Sequence, residues 1–349
     1  MKFVWSQYAS ASECSHKNEI EDRAERCCHP FVSVIVCTVG LRSLLENCLA
    51  SLAAQQCTRY EIVVVLNGEP NDKFATEVAA YPIRLFNEPR RGVCVARNRG
   101  TGAAYGEILC FVDDDVVADP NWIHEMIRGF EDPLVACVTG RVRLEGAFLS
   151  RETLERSYES ERALSAWTLE KRDPNWYRTV LGPDVGFGCN MAFRKKFLQT
   201  HTLFPEAMGA GGVIGATDET FMFFQVLKHD WRIYHSPTAI VTHVYENDPV
   251  EQKNRMKEVC SAIVALHLKL LIEESGFRLA TLKLLIRALD RRFWRILRGE
   301  GIFRHRHEGL SVLERCGADL RGVWIYCKYR SRRNFSYRLS QKSAATTDL

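Results

Sequence analysis

An apolar run, Glu107-Ile108-Leu109-Cys110-Phe111-Val112, ends in three consecutive aspartates, Asp113-Asp114-Asp115, before Val116-Val117 resumes. The run reads as a buried strand. Like charges crowded at a strand end are costly unless a cation or ligand offsets them. Hard cations such as Mg²⁺ and Mn²⁺ take one or two protein carboxylates and complete their shell with water and substrate phosphate. A sheet that delivers carboxylates to its carboxyl edge therefore suits a metal–diphosphate site. The competing reading is an acidic turn that starts a helix ahead of Asp119-Pro120-Asn121-Trp122.

What precedes the aspartates fixes the kind of sheet. Phe31 to Thr38 is a short β-branched run, followed by Leu44, Leu45, Cys48, Leu49 and Leu52 at helical spacing. Tyr60 to Leu66 reads as a strand, Asn67-Gly68-Glu69-Pro70 as a turn and Asp72 to Ala80 as a helix. Ile83 to Phe86 is a third strand, and Val93 to Tyr105 a helix leading into the aspartate strand. This alternation predicts an α/β fold with a mostly parallel central sheet flanked by helices. Ligands of such sheets bind outside the carboxyl ends of the strands, where the aspartates lie.

Two nucleotide motifs are missing. The first strand is followed by Thr38-Val39-Gly40-Leu41-Arg42, with neither G-x-G-x-x-G nor G-x-x-x-x-G-K-[ST]. A dinucleotide dehydrogenase and a P-loop nucleotidase are disfavoured, so metal and basic side chains must hold any phosphate. Arg90, Arg91, Arg97 and Arg99 fall within ten residues just ahead of the aspartate strand. They could serve a phosphate, shield the aspartates or stand as solvated charges on a surface helix.

The thirteen cysteines contain no C-x-x-C pair. Those at 37, 110, 137 and 189 sit in or beside strand-like runs, where a reduced thiol packs as a small hydrophobe. Cys14, His16, Cys27, Cys28 and His29 match no zinc spacing. Residues 1–30 lack an apolar secretory core, and the apolar stretch Val259 to Ile272 is too short to span a bilayer. These features predict a reduced, cytoplasmic compartment.

With these residues in view, the chain resembles the family 2 glycosyltransferases, the inverting, nucleotide-sugar-dependent group with a GT-A fold. An ordered series over roughly residues 31 to 250 carries the likeness. It comprises Ser33 to Thr38 with Leu44 to Leu52, Glu61 to Gly68, and Gly92 to Gly100 with Ala104, Gly106 and Glu107. It continues through Phe111-Val112-Asp113-Asp114-Asp115 of the D-x-D type, Gly188 to Arg194, Thr217-Asp218-Glu219 and Val241-Thr242-His243.

The resemblance implies that Thr38, Asn67, Arg97, Asn98, Asp113, Asp114 and Asn190 bind the donor. It also implies that Asp115, Asp113 and His243 hold Mn²⁺ or Mg²⁺, Asp115 by direct contact, with Asp113 nearer the nucleoside. The metal would neutralise the departing nucleoside diphosphate. Inverting transfer needs an acceptor-side carboxylate as base. The family usually shows Glu-Asp there, whereas this chain has Asp218-Glu219, and both are candidates. Gly209 to Gly215 reads either as a flexible loop closing over sugar or acceptor or as a plain connection. Two departures fall in the nucleobase and ribose pocket. Leu66-Asn67 stands where relatives carry an Asp, and Cys37-Thr38-Val39-Gly40 where they often show Pro-Thr-Tyr-Asn. UDP is the commonest nucleotide of the family.

The C-terminal hundred residues lie outside the resemblance. The net charge of +4 conceals sixteen Lys/Arg against five Asp/Glu between Arg278 and Arg338. Leu279, Leu282, Leu285, Ile286, Leu289, Phe293, Ile296 and Leu297 recur at helical spacing among arginines, a basic amphipathic helix suited to a membrane interface. Gly322 to Arg330 adds aromatic and basic residues. The expected organisation is an N-terminal extension (1–30), a GT-A catalytic domain (31–250), a basic helical region (251–335) and a disordered tail (336–349). The expected function is metal-dependent transfer from a nucleoside-diphosphate sugar to a glycan or lipid-linked glycan, peripheral to the cytoplasmic leaflet and without nucleic acid. The alternatives are a non-catalytic membrane-associated scaffold of the same fold and a sugar nucleotidyltransferase. The latter should carry a glycine-rich basic loop after the first strand.

Overall fold

The computed structural model describes residues 30–40, 43–145, 160–182, 185–244, 249–297 and 310–346. The N-terminal cysteine–histidine cluster lies outside them, as does part of the stretch between 140 and 185. The strands are β1 (Val32–Thr38), β2 (Tyr60–Asn67), β3 (Ile83–Glu88), β4 (Ile108–Asp113), β5 (Val116–Ala118), β6 (Val135–Glu145), β7 (Trp167–Leu169), β8 (Met191–Arg194) and β9 (Arg232–Val244). The helices of the sheet region are α1 (Ser43–Ala53), α2 (Asp72–Val78), α3 (Val93–Ala103), α4 (Trp122–Arg128), α5 (Glu161–Leu164), α6 (Trp176–Val180), α7 (Lys195–Thr200) and α8 (Asp218–Lys228). Three long helices follow: α9 (Pro249–Glu273), α10 (Arg278–Leu297) and α11 (Val312–Thr346).

The strands form one mixed sheet in the order β3-β2-β1-β4-β8-β6-β9-β5, with β7 pairing β9. The β3-β2-β1-β4 half is parallel throughout. Beyond it, β8 runs antiparallel to both β4 and β6, β6 and β9 are parallel, and β5 returns antiparallel on β9. The expected parallel sheet therefore describes the first half, where a helix joins each strand to the next. The second half is reached by longer connections that permit either direction.

Residue alternation sends the β1–β2 side chains to two cores. Val34, Val36, Ile62 and Val64 meet α1, α2 and α4 on one face. Ile35, Val63 and Val65 join Phe111, Phe193 and the α8 residues Phe223 and Phe224 on the other. α1 buries Leu45, Cys48, Leu49 and Leu52, the predicted stripe. α2 starts where Asn71 Oδ1 accepts the Phe74 amide at 3.1 Å, an ordinary side-chain cap.

The C-terminal helices belong to the same body. Ala265, Leu266 and Leu270 of α9 and Ile325 and Tyr326 of α11 complete the second core. α11 crosses α9 closely at Gly322, where a Cβ would lie 2.5 Å from the Ser261 carbonyl oxygen. The tail expected to be disordered from Ser336 continues as helical backbone to Thr346. No helix among the described residues is long and apolar enough to cross a membrane.

Candidate active site

Strand register assembles the site. Parallel pairing of β1 with β4 sets Cys37 beside Asp113, so Thr38 and the aspartates leave the sheet together at its carboxyl edge. The chain turns at Asp114-Asp115 and re-enters as β5, whose Val116 pairs with His243 of β9. The Val244 amide donates to the Asp115 carbonyl at 3.0 Å, which fixes the two residues side by side. The aspartates end a strand and turn the chain, but they do not start a helix: β5 stands between that turn and α4, which begins at Trp122.

Arg97 is the centre of the arrangement. It projects from α3, is 4% exposed, and donates to Asp113 Oδ1 at 3.1 Å and to the Gly188 carbonyl at 3.2 Å. Its other guanidinium nitrogen donates to Asp218 Oδ2 in a short contact. A buried guanidinium needs such partners: desolvation favours its neutral form, and the two carboxylates more than offset that. One side chain therefore ties the strand-end carboxylate to the first residue of α8, 121 positions away in sequence.

Beside this pair, Asp115 and His243 form a second group. Asp115 Oδ1 lies 3.3 Å from His243 Nε2. That oxygen is buried with no hydrogen-bond partner among the described residues. Burial pushes the Asp115 carboxyl up to about 7, with the charges of Asp113 and Asp114 adding and that of Arg255 opposing. Burial also holds His243 down at about 4, so the imidazole is neutral at pH 7 and supplies no counter-charge. A buried carboxylate oxygen without a donor is what a divalent cation would complete. Asp113, Cys189 and His243 place one ligand atom each within 4.8 Å of one another. The residues present fit a divalent cation at this edge, where Asp113, Cys189 and His243 group their ligand atoms and the partnerless Asp115 oxygen lies beside His243.

Thr38 Oγ1 lies 2.5 Å from Asp114 Oδ2 and 2.9 Å from the Gly40 carbonyl, so the hydroxyl can serve either acceptor. The three asparagines expected at the donor site are braces. Asn67 bonds Glu88 O, Arg90 O and the Gly92 amide, closing the turn into α3. Asn98 clamps both the amide and the carbonyl of Phe204. Asn190, fully buried, donates to Arg141 O and Ala239 O and accepts from the Trp122 indole. Each amide spends its hydrogen bonds inside the protein.

The Asp218-Glu219 pair opens α8. Asp218 is buried against Arg97, whereas Glu219 is half-buried and pushed up to about 8, first by desolvation and then by the neighbouring Asp218 charge. Thr217 enters the helix with φ +87°, a left-handed conformation that is costly for a β-branched residue. Its buried hydroxyl has no partner among the described residues. The glycine loop ahead of it is pinned: Ala210 O accepts from Val93 N at 2.9 Å, Ala207 O accepts from Ile214 N at 2.7 Å, and Ile214 is buried. Gly209, Gly211 and Gly215 take positive φ. The connection reading fits this loop better than the closing lid.

Sequence reasoning missed two residues. Cys189 reaches the site because β8 runs antiparallel to β4, a direction that composition does not reveal. Arg255 of α9 acts electrostatically on both Asp115 and His243, and its only sequence signal was a basic residue soon after the histidine strand.

A mixed α/β sheet that brings carboxylates and a histidine to its carboxyl edge has the layout of the GT-A class. Residues 33–202 match the family described as glycosyl transferase family 2. Among relatives, EpsH of Bacillus subtilis, named provisionally as a glycosyltransferase, is 28% identical over 182 residues, 50% of each chain. The uncharacterised glycosyltransferase YibD of Escherichia coli is 30% identical over 159 residues, 43% of this chain and 44% of its own. The glucosyl-dolichyl phosphate glucuronosyltransferase of Haloferax volcanii is 28% identical over 118 residues, 32% and 38%. The chain thus spans half or less of the length of these relatives. The crystal structure of TarS from S. aureus superposes with a TM-score of 0.49 at 15% identity, over 69% of this chain and 40% of that one.

Proposed function

We propose that the chain is a metal-dependent inverting glycosyltransferase. It moves a sugar from a nucleoside-diphosphate sugar, UDP being the first candidate, to a hydroxyl of a glycan or lipid-linked glycan. The observation that carries this reading is the Arg97 bridge, in which one buried guanidinium joins a partly exposed strand-end carboxylate to a buried helix-start carboxylate. Donor and acceptor chemistry need such carboxylates side by side.

Asp113, Asp115 and His243 would hold a Mg²⁺ or Mn²⁺ ion, which when bound supplies charge neutralisation at the diphosphate. Thr38 and Asp114, at the ends of β1 and β4, would line the nucleoside side. The acceptor oxygen forms a bond to the anomeric carbon while the carbon–oxygen bond to the diphosphate breaks, and the diphosphate leaves with the electron pair. Glu219, pushed up to about 8, holds its proton at neutral pH. Asp218 is then the carboxylate left to take the hydroxyl proton. Arg97 orients Asp218 and prevents two carboxylates from repelling across the site. A lipid-linked acceptor would place the reaction at a cytoplasmic membrane surface, next to the C-terminal helices.

The test is calorimetry with UDP-, GDP- and dTDP-sugars, each with Mn²⁺ and with EDTA, on the natural chain and on Asp115→Asn. The expected result is one donor class whose binding needs both the cation and Asp115. A folded protein that binds no nucleotide sugar under any condition refutes the reading and favours the scaffold. Once a donor is known, Asp218→Asn should abolish transfer while Glu219→Gln retains it. The opposite pattern would move the base to Glu219.

A further inference from the structure

We infer that the outward face of α10 is a docking surface for an anionic phospholipid bilayer. The orientation of α10 is fixed by its inner face. Thr281 is fully buried and its hydroxyl meets Tyr177 Oη at 2.5 Å, while Ala280 and Leu284 pack on the core. The other side carries Leu279, Leu282 and Ile286, which are 65%, 45% and 55% exposed. Their 3–4 spacing continues in the sequence through Leu289, Phe293 and Ile296. An apolar line of this kind left in water calls for an occupant.

Charge selects the occupant. α10 contains six Lys/Arg and one Asp, and Lys283 and Arg287 stand exposed among the apolar residues. Arg278 is engaged with the carbonyls of Leu271 and Ile272 at the end of α9. A second copy seated on this face would set cation against cation across the seam, which disfavours self-association. Nucleic acid would satisfy the cations but leave the leucines wet. An anionic bilayer satisfies both, taking the apolar side chains between its headgroups and the cations against its phosphates.

α11 repeats the chemistry with an aromatic anchor. Leu313, Leu320 and Trp324 are 84%, 73% and 60% exposed at one-face spacing, and Lys328 Nζ sits 4.8 Å from the Trp324 ring centroid. An indole with a cation beside it is the amphipathic pairing that settles at a headgroup boundary. The inference depends on the transferase reading only for its consequence, that the acceptor arrives on a lipid.

Flotation of the full chain with vesicles tests it, using phosphatidylcholine alone and phosphatidylcholine mixed with phosphatidylglycerol. The chain should float with the mixed vesicles, not with the neutral ones, and be released by high salt. Leu282→Glu/Ile286→Glu should reduce binding at least roughly tenfold, and Lys283→Gln/Arg287→Gln roughly thirtyfold. Both pairs are exposed and far from the catalytic carboxylates in sequence, so nucleotide-sugar calorimetry and circular dichroism should be unchanged. Three results would each overturn the inference. One is no flotation from a chain that still binds nucleotide, and another is equal flotation with neutral vesicles. The third is a dimer by light scattering that Leu282→Glu/Ile286→Glu makes monomeric.

Discussion

Replacing Arg97 by Met keeps most of the side-chain volume and removes the charge that joins Asp113 to Asp218. The consequence for folding can be worked from burial. The Asp218 side chain is 6% exposed and has lost nearly all its water, so without Arg97 it becomes an uncompensated buried carboxylate. Breaking a buried pair from one side costs about 3–5 kcal/mol. Asp113 is 35% exposed and solvent screens it, so it adds little to that figure. The expected loss is therefore about 3 kcal/mol, read from urea unfolding followed by fluorescence and circular dichroism together. Asp218→Asn in the Arg97→Met background removes the stranded charge and should restore about 1–2 kcal/mol. A single substitution costing below about 1 kcal/mol, or a double variant additive to within about 0.5 kcal/mol, would refute the bridge as the element that binds the two halves of the site.

Other consequences can be checked as directly. Glu219 is raised from 4.5 to about 8 in the folded protein, so its contribution is fully present below pH 4.5 and is lost as pH rises through 8. Glu219→Gln should match the natural chain at pH 4.5 and exceed it by up to about 5 kcal/mol at pH 9; a difference in urea midpoint that does not change with pH refutes the assignment. Thr217→Gly relieves a left-handed β-branched residue at φ +87° and should raise stability by about 1 kcal/mol in thermal unfolding, and a loss would mean that the side chain is held by contacts worth more than the strain. At Gly106 an added Cβ would lie 2.5 Å from the Ser33 amide nitrogen, so Gly106→Ala should cost about 2–3 kcal/mol by calorimetry, whereas a neutral result would show that β1 can shift freely.

Strand and helix positions were legible wherever local pattern and burial coincide. Val32–Thr38 and Tyr60–Asn67 are buried on both faces, so their β-branched runs had only one use. The mixed direction of the second half was not legible, because the strands β6, β8 and β9 pair across long connections whose course no periodicity encodes. The same limit hid Cys189, which acquires its neighbours only through the reversed strand β8. Asparagine exposes a further limit. A residue type that can contact a ribose can equally bind three backbone groups, and Asn67, Asn98 and Asn190 all turn their amides to the protein's own groups. Charged residues were more readable because a buried carboxylate needs a stated partner, and a strand-end aspartate cluster after an arginine-bearing helix offers few.

The braces and the charges together explain why the Asp218-Glu219 order can depart from the family's usual one. What the chemistry needs is one ionised carboxylate held next to the donor edge, and position in the tertiary structure supplies that independently of residue order. Arg97 reaches the first residue of α8 and gives the carboxylate there a counter-charge, whereas burial first and the Asp218 charge second push the Glu219 carboxyl up. The left-handed Thr217 sets the angle at which α8 starts, and the pinned glycine loop holds that start against Val93 of α3, one turn before Arg97. Exchanging the two residue types, Asp218→Glu together with Glu219→Asp, would put a longer carboxylate against a guanidinium already held by Asp113 and the Gly188 carbonyl. The exchange should therefore lower transfer more than either substitution alone, with stability following Arg97 pairing rather than the identity of the base. A swapped enzyme with full activity would show that the helix start adapts, and that Arg97 does not choose the base.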